Sequence, residues 1–231
     1  MKGKVLLLED DESIRSMIAI NLKRVGMYIL EVGTGEEALD MVDRHNDIDI
    51  AVLDIMLPGI DGIQVCRKIR KDRPFTGIIM LTAKAQEKDK INALESGADD
   101  YVTKPFSVAE FMARMNSLIR RVKINIEGVQ TGVIKQGKFE IDENSKKFYK
   151  DKIEIELTPT EFSIVKLFMK TPGKAYDRND ILTEVWGEYY FGELKIVDVN
   201  VRRLRKKIED DPSIPRYIET VWGMGYRWKE V

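Results

Sequence analysis

Residues 5–12, Val5-Leu6-Leu7-Leu8-Glu9-Asp10-Asp11-Glu12, set an unbroken apolar run directly before a run of acids. Residues 50–54, Ile50-Ala51-Val52-Leu53-Asp54, repeat the arrangement with a single acid at the end. Apolar runs without alternation belong to strands buried on both faces, the condition of central strands in a parallel sheet. Ile78-Ile79-Met80-Leu81 is a third such run, and Tyr28 to Val32 and Tyr101-Val102-Thr103 read as weaker strands. Helical patterns separate them. Ile14, Ile18, Leu22 and Val25 form one apolar stripe. Thr34 with Glu37, and Ser107 with Glu110, stand at capping-box spacing, and Asp61 can cap a helix carrying Ile63, Val65 and Ile69. Five strands alternating with five helices in about 120 residues predict an α/β doubly wound parallel five-stranded sheet.

The pattern changes near residue 122. Two glycines and no clear period predict a linker over 122–133, between a first domain at 1–121 and a second at 134–231. Ile153, Ile155 and Leu157 alternate with charged residues, as in a half-exposed antiparallel strand. Asn144-Ser145 and Asp151-Lys152 read as turns. Thr158-Pro159-Thr160-Glu161 is a helix start with its cap, its N1 proline and its N3 acid, and Pro172-Gly173 is the stop. Asp177 opens a second helix running through Trp186 to Gly187, and a third covers about 196–208, with Val197, Val201, Leu204 and Ile208 on one side. A hairpin around Gly223-Met224-Gly225 follows. The second half is therefore expected to be an α+β winged-helix domain.

Composition sets the limits on function. A hydrophobic fraction of 43% supports packed cores, and charged residues at 33% supply a solvated surface. No apolar run approaches the ~20 residues of a membrane span. The amino terminus does not read as a signal peptide, and a cytoplasmic protein without membrane partners is expected. Cys66 is the single cysteine, which excludes an internal disulfide and a cysteine-based zinc cluster. Residues 1–121 hold 18 basic and 20 acidic residues, and the whole chain has net charge −1. The case for nucleic acid therefore rests on local clustering. Arg202-Arg203-Leu204-Arg205-Lys206-Lys207 provides it, on a helix that precedes a hairpin, as in a helix-turn-helix with a wing.

In an open parallel sheet, ligands bind beyond the carboxyl ends of the strands. With strand order 2-1-3-4-5, Glu9, Asp10 and Asp54 converge there. Three converging anions need a counterion, and Mg²⁺ with oxygen ligands fits. Lys104, after the fifth strand, adds a positive charge, and Thr82, ending the fourth, adds a hydroxyl. These are the parts needed to place a phosphoryl group on an aspartate. The competing reading is that these acids only cap and solvate a helix start.

Glu9-Asp10-Asp11, Leu53-Asp54-Ile55-Met56-Leu57-Pro58-Gly59, Thr82-Ala83-Lys84 and Lys104-Pro105-Phe106 resemble, in order and spacing, the receiver domain of two-component response regulators, a flavodoxin-like fold. Thr158-Pro159-Thr160-Glu161-Phe162, residues 197–207 and Gly223-Met224-Gly225-Tyr226-Arg227 resemble the effector domain of the OmpR/PhoB family. The resemblance implies Asp54 as phosphoacceptor, fed by a sensor histidine kinase. It implies Mg²⁺ held by Glu9 through water, Asp10, Asp54 and the Met56 backbone carbonyl. Thr82 and Tyr101 match the switch pair and Lys104 the phosphate-contacting lysine, with Lys104-Pro105 cis. A four-stranded platform, contact with RNA polymerase through a loop at about 187–194, and promoter DNA in direct repeats are implied as well. Arg203 matches a base-reading position, and Asn200, Arg202, Arg205 and Thr220 match positions near bases or phosphates. Homodimerisation on phosphorylation is implied, through Lys90 with Glu110, Asp100 with Arg114, and Asp99 with Arg121. Trp222 departs from the family's frequent arginine before the wing's first glycine; Arg227 could take over its contact, and Trp222 could pack on the platform.

Other readings stay open at this point. They are an aspartyl-phosphate phosphatase, a phosphorylation-independent regulator whose receiver only dimerises, and a winged helix that binds protein. The first is disfavoured because no second aspartate stands two residues beyond Asp54.

Overall fold

The computed structural model describes residues 3–83, 86–123, 132–190 and 192–229. Lys84, most of the expected linker and residue 191 of the expected polymerase-contacting loop lie outside them. The chain divides into two compact units, Met1–Val122 and Lys123–Val231.

The first unit runs β1 (Lys4–Leu8), α1 (Glu12–Arg24), β2 (Tyr28–Val32), α2 (Gly35–Arg44), β3 (Ile50–Asp54), α3 (Gly62–Asp72), β4 (Gly77–Thr82), α4 (Glu87–Glu95), β5 (Asp100–Thr103) and α5 (Val108–Lys123). The strands are parallel in the expected order β2-β1-β3-β4-β5. Alternate residues of the central strands feed opposite faces. Val5, Leu7, Ile50, Val52, Ile79 and Leu81 pack with Ile18 and Leu22 of α1 and with Phe111, Met115 and Leu118 of α5. Leu6, Leu8, Ala51, Leu53, Ile78 and Met80 are equally buried on the other side. Double-sided burial explains why these strands lack alternation.

One buried ion pair locks the far end of this sheet. Asp99 is fully buried, pairs with Arg70 of α3, and accepts from the Ile78 amide at 2.9 Å. Arg70 also donates to the carbonyls of Gly97 (2.6 Å) and Pro74 (2.9 Å). One carboxylate thus ties α3 to the start of β4.

The second unit begins with β6 (Val133–Gln136), β7 (Phe139–Asp142), β8 (Lys147–Lys150) and β9 (Ile153–Ile155), an antiparallel sheet in sequence order. Asp151 and Lys152 both have positive φ (52° and 68°), forming the two-residue turn between β8 and β9. The expected buried face of β9 is only partly realised: Ile153 is 71% exposed, because it sits beside that turn on the edge strand. Then come α6 (Pro159–Lys170), β10 (Ala175–Asp177), α7 (Arg178–Trp186), α8 (Lys195–Ile208), β11 (Ile218–Val221) and β12 (Gly225–Trp228). The last two strands form the hairpin, and β10 joins it in the order β10-β12-β11. Phe139 of the first sheet meets Trp228 of the hairpin edge-on, with centroids 5.1 Å apart.

The capping box of α6 is present, and its acid has a second task. Glu161 is fully buried, bonds the Thr158 amide (3.0 Å), and pairs with Lys207 (2.7 Å) and Arg203 (3.1 Å) of α8. Burial alone would raise its pKa; the two cations outweigh burial and hold the carboxyl below its ordinary value. α6 and α8 are therefore joined by charge as well as by apolar packing.

Breaking a buried pair strands the remaining charge. Asp99→Ala is expected to destabilise the first unit by about 3 kcal/mol, read as a lower urea midpoint. A midpoint like the wild type's would mean that Arg70 needs no counterion.

Candidate functional site

Parallel registry builds the first site. Leu8 of β1 lies beside Leu53 of β3, so the residues that follow each emerge together at the carboxyl edge. Asp11 performs the helix capping, accepting from the amides of Ser13 (2.8 Å) and Ile14 (3.0 Å). Glu9 and Asp10 are thereby left to the pocket. Ligand oxygens of Glu9, Asp10 and Asp54 lie within 4.8 Å of one another. Glu9 and Asp54 are buried, and Asp10 is exposed.

Lys104 bridges the two buried acids. Its Nζ is 2.6 Å from Glu9 Oε2 and 2.7 Å from Asp54 Oδ2. Burial, reinforced by the Asp54 charge and opposed by Lys104, pushes the Glu9 carboxyl up to about 7. Burial works against the Lys104 charge, but its bonds to Asp54 and Glu9 prevail and raise its pKa. The Lys104–Pro105 peptide is cis, and the Lys104 amide bonds the Thr82 carbonyl at 2.7 Å. Thr82 is buried at the end of β4, one position beyond Leu81, the partner of Asp54. The Met56 amide donates to Asp54 Oδ1 at 3.0 Å.

Two contributors escaped the sequence reading. Arg15 donates to the Glu9 carbonyl at 2.6 Å, steadying the acidic turn from α1. Gly62 opens α3 against the acceptor strand: a Cβ there would stand 2.0 Å from the Asp54 carbonyl oxygen. Only glycine lets α3 start that close. The readable signal was a small residue straight after the cap Asp61.

Tyr101 is buried on β5, with Lys90 Nζ 5.6 Å and Arg114 Cζ 5.9 Å from its ring centroid. Within one chain the surrounding charges pair differently from the expected dimer scheme. Arg114 already bonds Asp100 of β5 (3.0 Å) and, one turn back along α5, Glu110 (3.1 Å). Asp99 pairs with Arg70, and Arg121 donates to Ser117 at 2.8 Å. Cross-chain pairing would require these groups to exchange partners.

The second site is α8 with the hairpin. Arg202 and Lys206 are exposed one turn apart. Arg205 is half-buried and braces the wing, donating to the Ile218 carbonyl (2.6 Å) and to Thr220 Oγ1 (3.0 Å). Tyr226 lies between Arg178 and Arg205, whose guanidinium carbons are 5.1 and 5.4 Å from its ring centroid. Its hydroxyl donates to Asp198 at 2.7 Å; burial and that bond push its pKa up to about 12. Thr220 and Arg227 are exposed, with Arg227 bonded to Glu219 at 3.0 Å.

Three expectations need correction here. Asn200 is fully buried and donates to the Ile196 carbonyl (2.8 Å), since it lies between Val197 and Leu204 on the inward face of α8. Arg203, expected at a base-reading position, is buried against Glu161 and serves there as its counterion. Trp222 does not pack on the platform: it is 92% exposed at the hairpin tip.

Two family models match the chain. "Response regulator receiver domain" covers residues 5–116, and "Transcriptional regulatory protein, C terminal" covers 152–228. The chain is 39% identical to Regulatory protein VanR of Enterococcus faecium, over 98% of this chain and 99% of that protein. It is 38% identical to Transcriptional regulatory protein ResD of Bacillus subtilis, over 98% and 95%. Among solved structures it is similar to DrrB, an OmpR/PhoB homologue of Thermotoga maritima, with 33% identity, a TM-score of 0.53, and coverage of 99% and 100%. Among the described residues no helix is long and apolar enough to cross a membrane. A receiver sheet ending in an acid–lysine cluster, followed by a winged helix, thus agrees with both matches: the chain belongs to the OmpR/PhoB family of two-component response regulators, phosphorylation-controlled regulators of transcription rather than turnover enzymes.

Proposed function

We propose that Asp54 is the phosphoacceptor and that its phosphorylation controls DNA binding by α8 and the wing. The observation that carries this reading is the Lys104 ammonium held between Asp54 and Glu9 in a pocket of three carboxylates. An Asp54 oxygen attacks the phosphorus of a phosphohistidine on a partner sensor kinase; the P–N bond breaks as the P–O bond forms. Lys104 stays against the phosphoryl oxygens, and Thr82 contributes its hydroxyl. Glu9 through water, Asp10, Asp54 and the Met56 carbonyl would hold Mg²⁺, and their close carboxylates suit a hard cation. Bound there, Mg²⁺ neutralises charge on the acids and the transferring oxygens. Loss of the group by water is slow and regulatory.

The added charge of about −1.5 to −2 draws Thr82 toward the phosphoryl group and resets Tyr101 between Lys90 and Arg114. The charges at Asp99, Asp100, Glu110, Arg114 and Arg121 then join two copies. The receiver occupies 1–121, the linker 122–133 and the effector 134–231. Two effectors occupy direct repeats at a promoter in the cytoplasm, and the loop at 187–194 meets RNA polymerase. Arg202, Arg205, Thr220, Arg227 and the exposed Lys206 face the duplex, with the phosphate contacts coming chiefly from Arg202 and Lys206.

Incubation with Mg²⁺ and acetyl phosphate should add ~80 Da to the intact chain, one phosphoryl group, and Asp54→Asn should abolish the adduct. An undiminished adduct in that variant would place the acceptor elsewhere. Mg²⁺ binding must displace the proton that Glu9 holds below about 7. Affinity measured by titration should therefore fall as pH drops below 7, by up to about tenfold per unit, and Glu9→Gln should flatten that profile. Arg202→Ala and Lys206→Ala should each reduce the slope of log K against log salt by about 0.9. Unchanged slopes would remove α8 from the phosphate backbone.

A further inference from the structure

Two adjacent glutamates open α2, and they work in different directions. Glu37 serves its own helix: its Oε2 accepts from the Gly33 amide at 2.9 Å, while the Thr34 hydroxyl caps the Glu37 amide at 3.2 Å. Glu36 reaches another element. Its Oε1 accepts from the amide of Ile60, 24 residues away, at 3.2 Å. Ile60 lies in the loop from β3 to α3, which also carries Met56. The two segments are in close contact. A Cβ on Gly35 would stand 2.0 Å from the Ile60 carbonyl oxygen, and one on Gly59 would stand 2.7 Å from Glu36 Oε1. Gly59 also has φ +76°, a conformation that glycine adopts without strain. Two glycines therefore let the start of α2 and this loop meet.

The loop is held at both ends. At its start the Ile55 amide donates to the Leu81 carbonyl (3.0 Å) and the Met56 amide to Asp54 Oδ1 (3.0 Å). At its end Asp61 caps α3, and Gly62 brings α3 against the Asp54 carbonyl. Between them runs Leu57-Pro58-Gly59-Ile60. Pro58 has no amide to donate and fixes its own φ, so a restraint at Ile60 passes through few free torsions to the Met56–Leu57 peptide. The oxygen of that peptide is the Met56 carbonyl. Groups that orient a metal's ligands tune its affinity along with the ligands themselves. A helix dipole also favours acids in a first turn. That effect needs no partner in a distant loop and no glycines at 35 and 59.

We propose that Glu36 is a positioning residue for the metal site: from α2 it holds the β3–α3 loop through the Ile60 amide and so fixes the Met56 carbonyl as a ligand. This rests on the Mg²⁺ reading above and extends the support of that site to a helix that supplies none of its ligands.

The test uses the full-length chain. Mg²⁺ affinity is measured by isothermal titration calorimetry, and loop restraint by hydrogen exchange at the Ile60 amide. The rate of adduct formation from acetyl phosphate is followed across a range of Mg²⁺ concentrations. Glu36→Ala should bind Mg²⁺ about fivefold more weakly, the worth of one hydrogen bond, and Ile60 should exchange faster. Its adduct rate should fall at low Mg²⁺ and match the wild type's at saturation. Glu36→Gln keeps an acceptor oxygen without the charge and should restore both affinity and slow exchange. If Glu36→Ala binds Mg²⁺ like wild type or leaves exchange unchanged, or if Glu36→Gln falls with it, the clamp is wrong and the metal reading stands. If the wild-type chain takes up no Mg²⁺, the metal reading fails and the clamp falls with it.

Discussion

Three carboxylates held within 4.8 Å of one another repel, and the receiver unit is organised around that repulsion. Parallel registry makes the crowding unavoidable, because Leu8 and Leu53 are neighbours and acids follow both strands. Among the described residues the ammonium of Lys104 answers it. Lys104 comes from a third strand end and touches both buried acids, so β1, β3 and β5 are joined by charge at the edge where a phosphoryl group would arrive. That compensation is incomplete. Burial, with the Asp54 charge added to it, still pushes the Glu9 carboxyl up to about 7, a cost that a divalent cation in the pocket would offset.

The effector unit treats charge in the opposite way. Its basic helix is not simply a displayed row of cations. Glu161 draws Arg203 and Lys207 inward, and Asp198 draws in Arg178 and the Tyr226 hydroxyl. Arg205 is spent on bracing β11. Arg202 and Lys206 are exposed on α8, as is the wing tip. This division explains how a unit with nearly balanced charge can still offer a polyanion a directed surface. The buried Glu161 pairs tie α6 to α8, and the bonds of Arg205 and Tyr226 tie α8 to the wing, which is the preorganisation that groove recognition needs.

Much of this was legible in the sequence, for physical reasons that can be named. Unbroken runs such as Val5-Leu6-Leu7-Leu8 announce double-sided burial, and the Asp61 and Thr158 caps announce helix starts, because both signals are local. The convergence of Glu9, Asp10, Asp54 and Lys104 was also readable, since strand order alone brings them together. What was hidden depends on neighbours distant in sequence. Nothing local says that Glu161, an ordinary capping acid, would also neutralise Arg203. The inward face of α8 proved wider than its spaced apolar residues indicate, and it took in Asn200. Three-residue β10 is too short to carry a pattern. Trp222 ran against the general burial of tryptophan because its turn position overrides its hydrophobicity.

The central claim is that the state of Asp54 sets the affinity of the effector unit for DNA. The direct measurement is the dissociation constant of the full-length chain for one selected duplex at fixed salt, before and after acetyl phosphate treatment, with Asp54→Asn carried through the same steps. The account predicts tighter binding after treatment, steeper dependence on protein concentration as two copies assemble, and no change in the variant. Equal affinity in both states of the wild-type chain would contradict it, leaving a DNA-binding protein whose receiver does not control it.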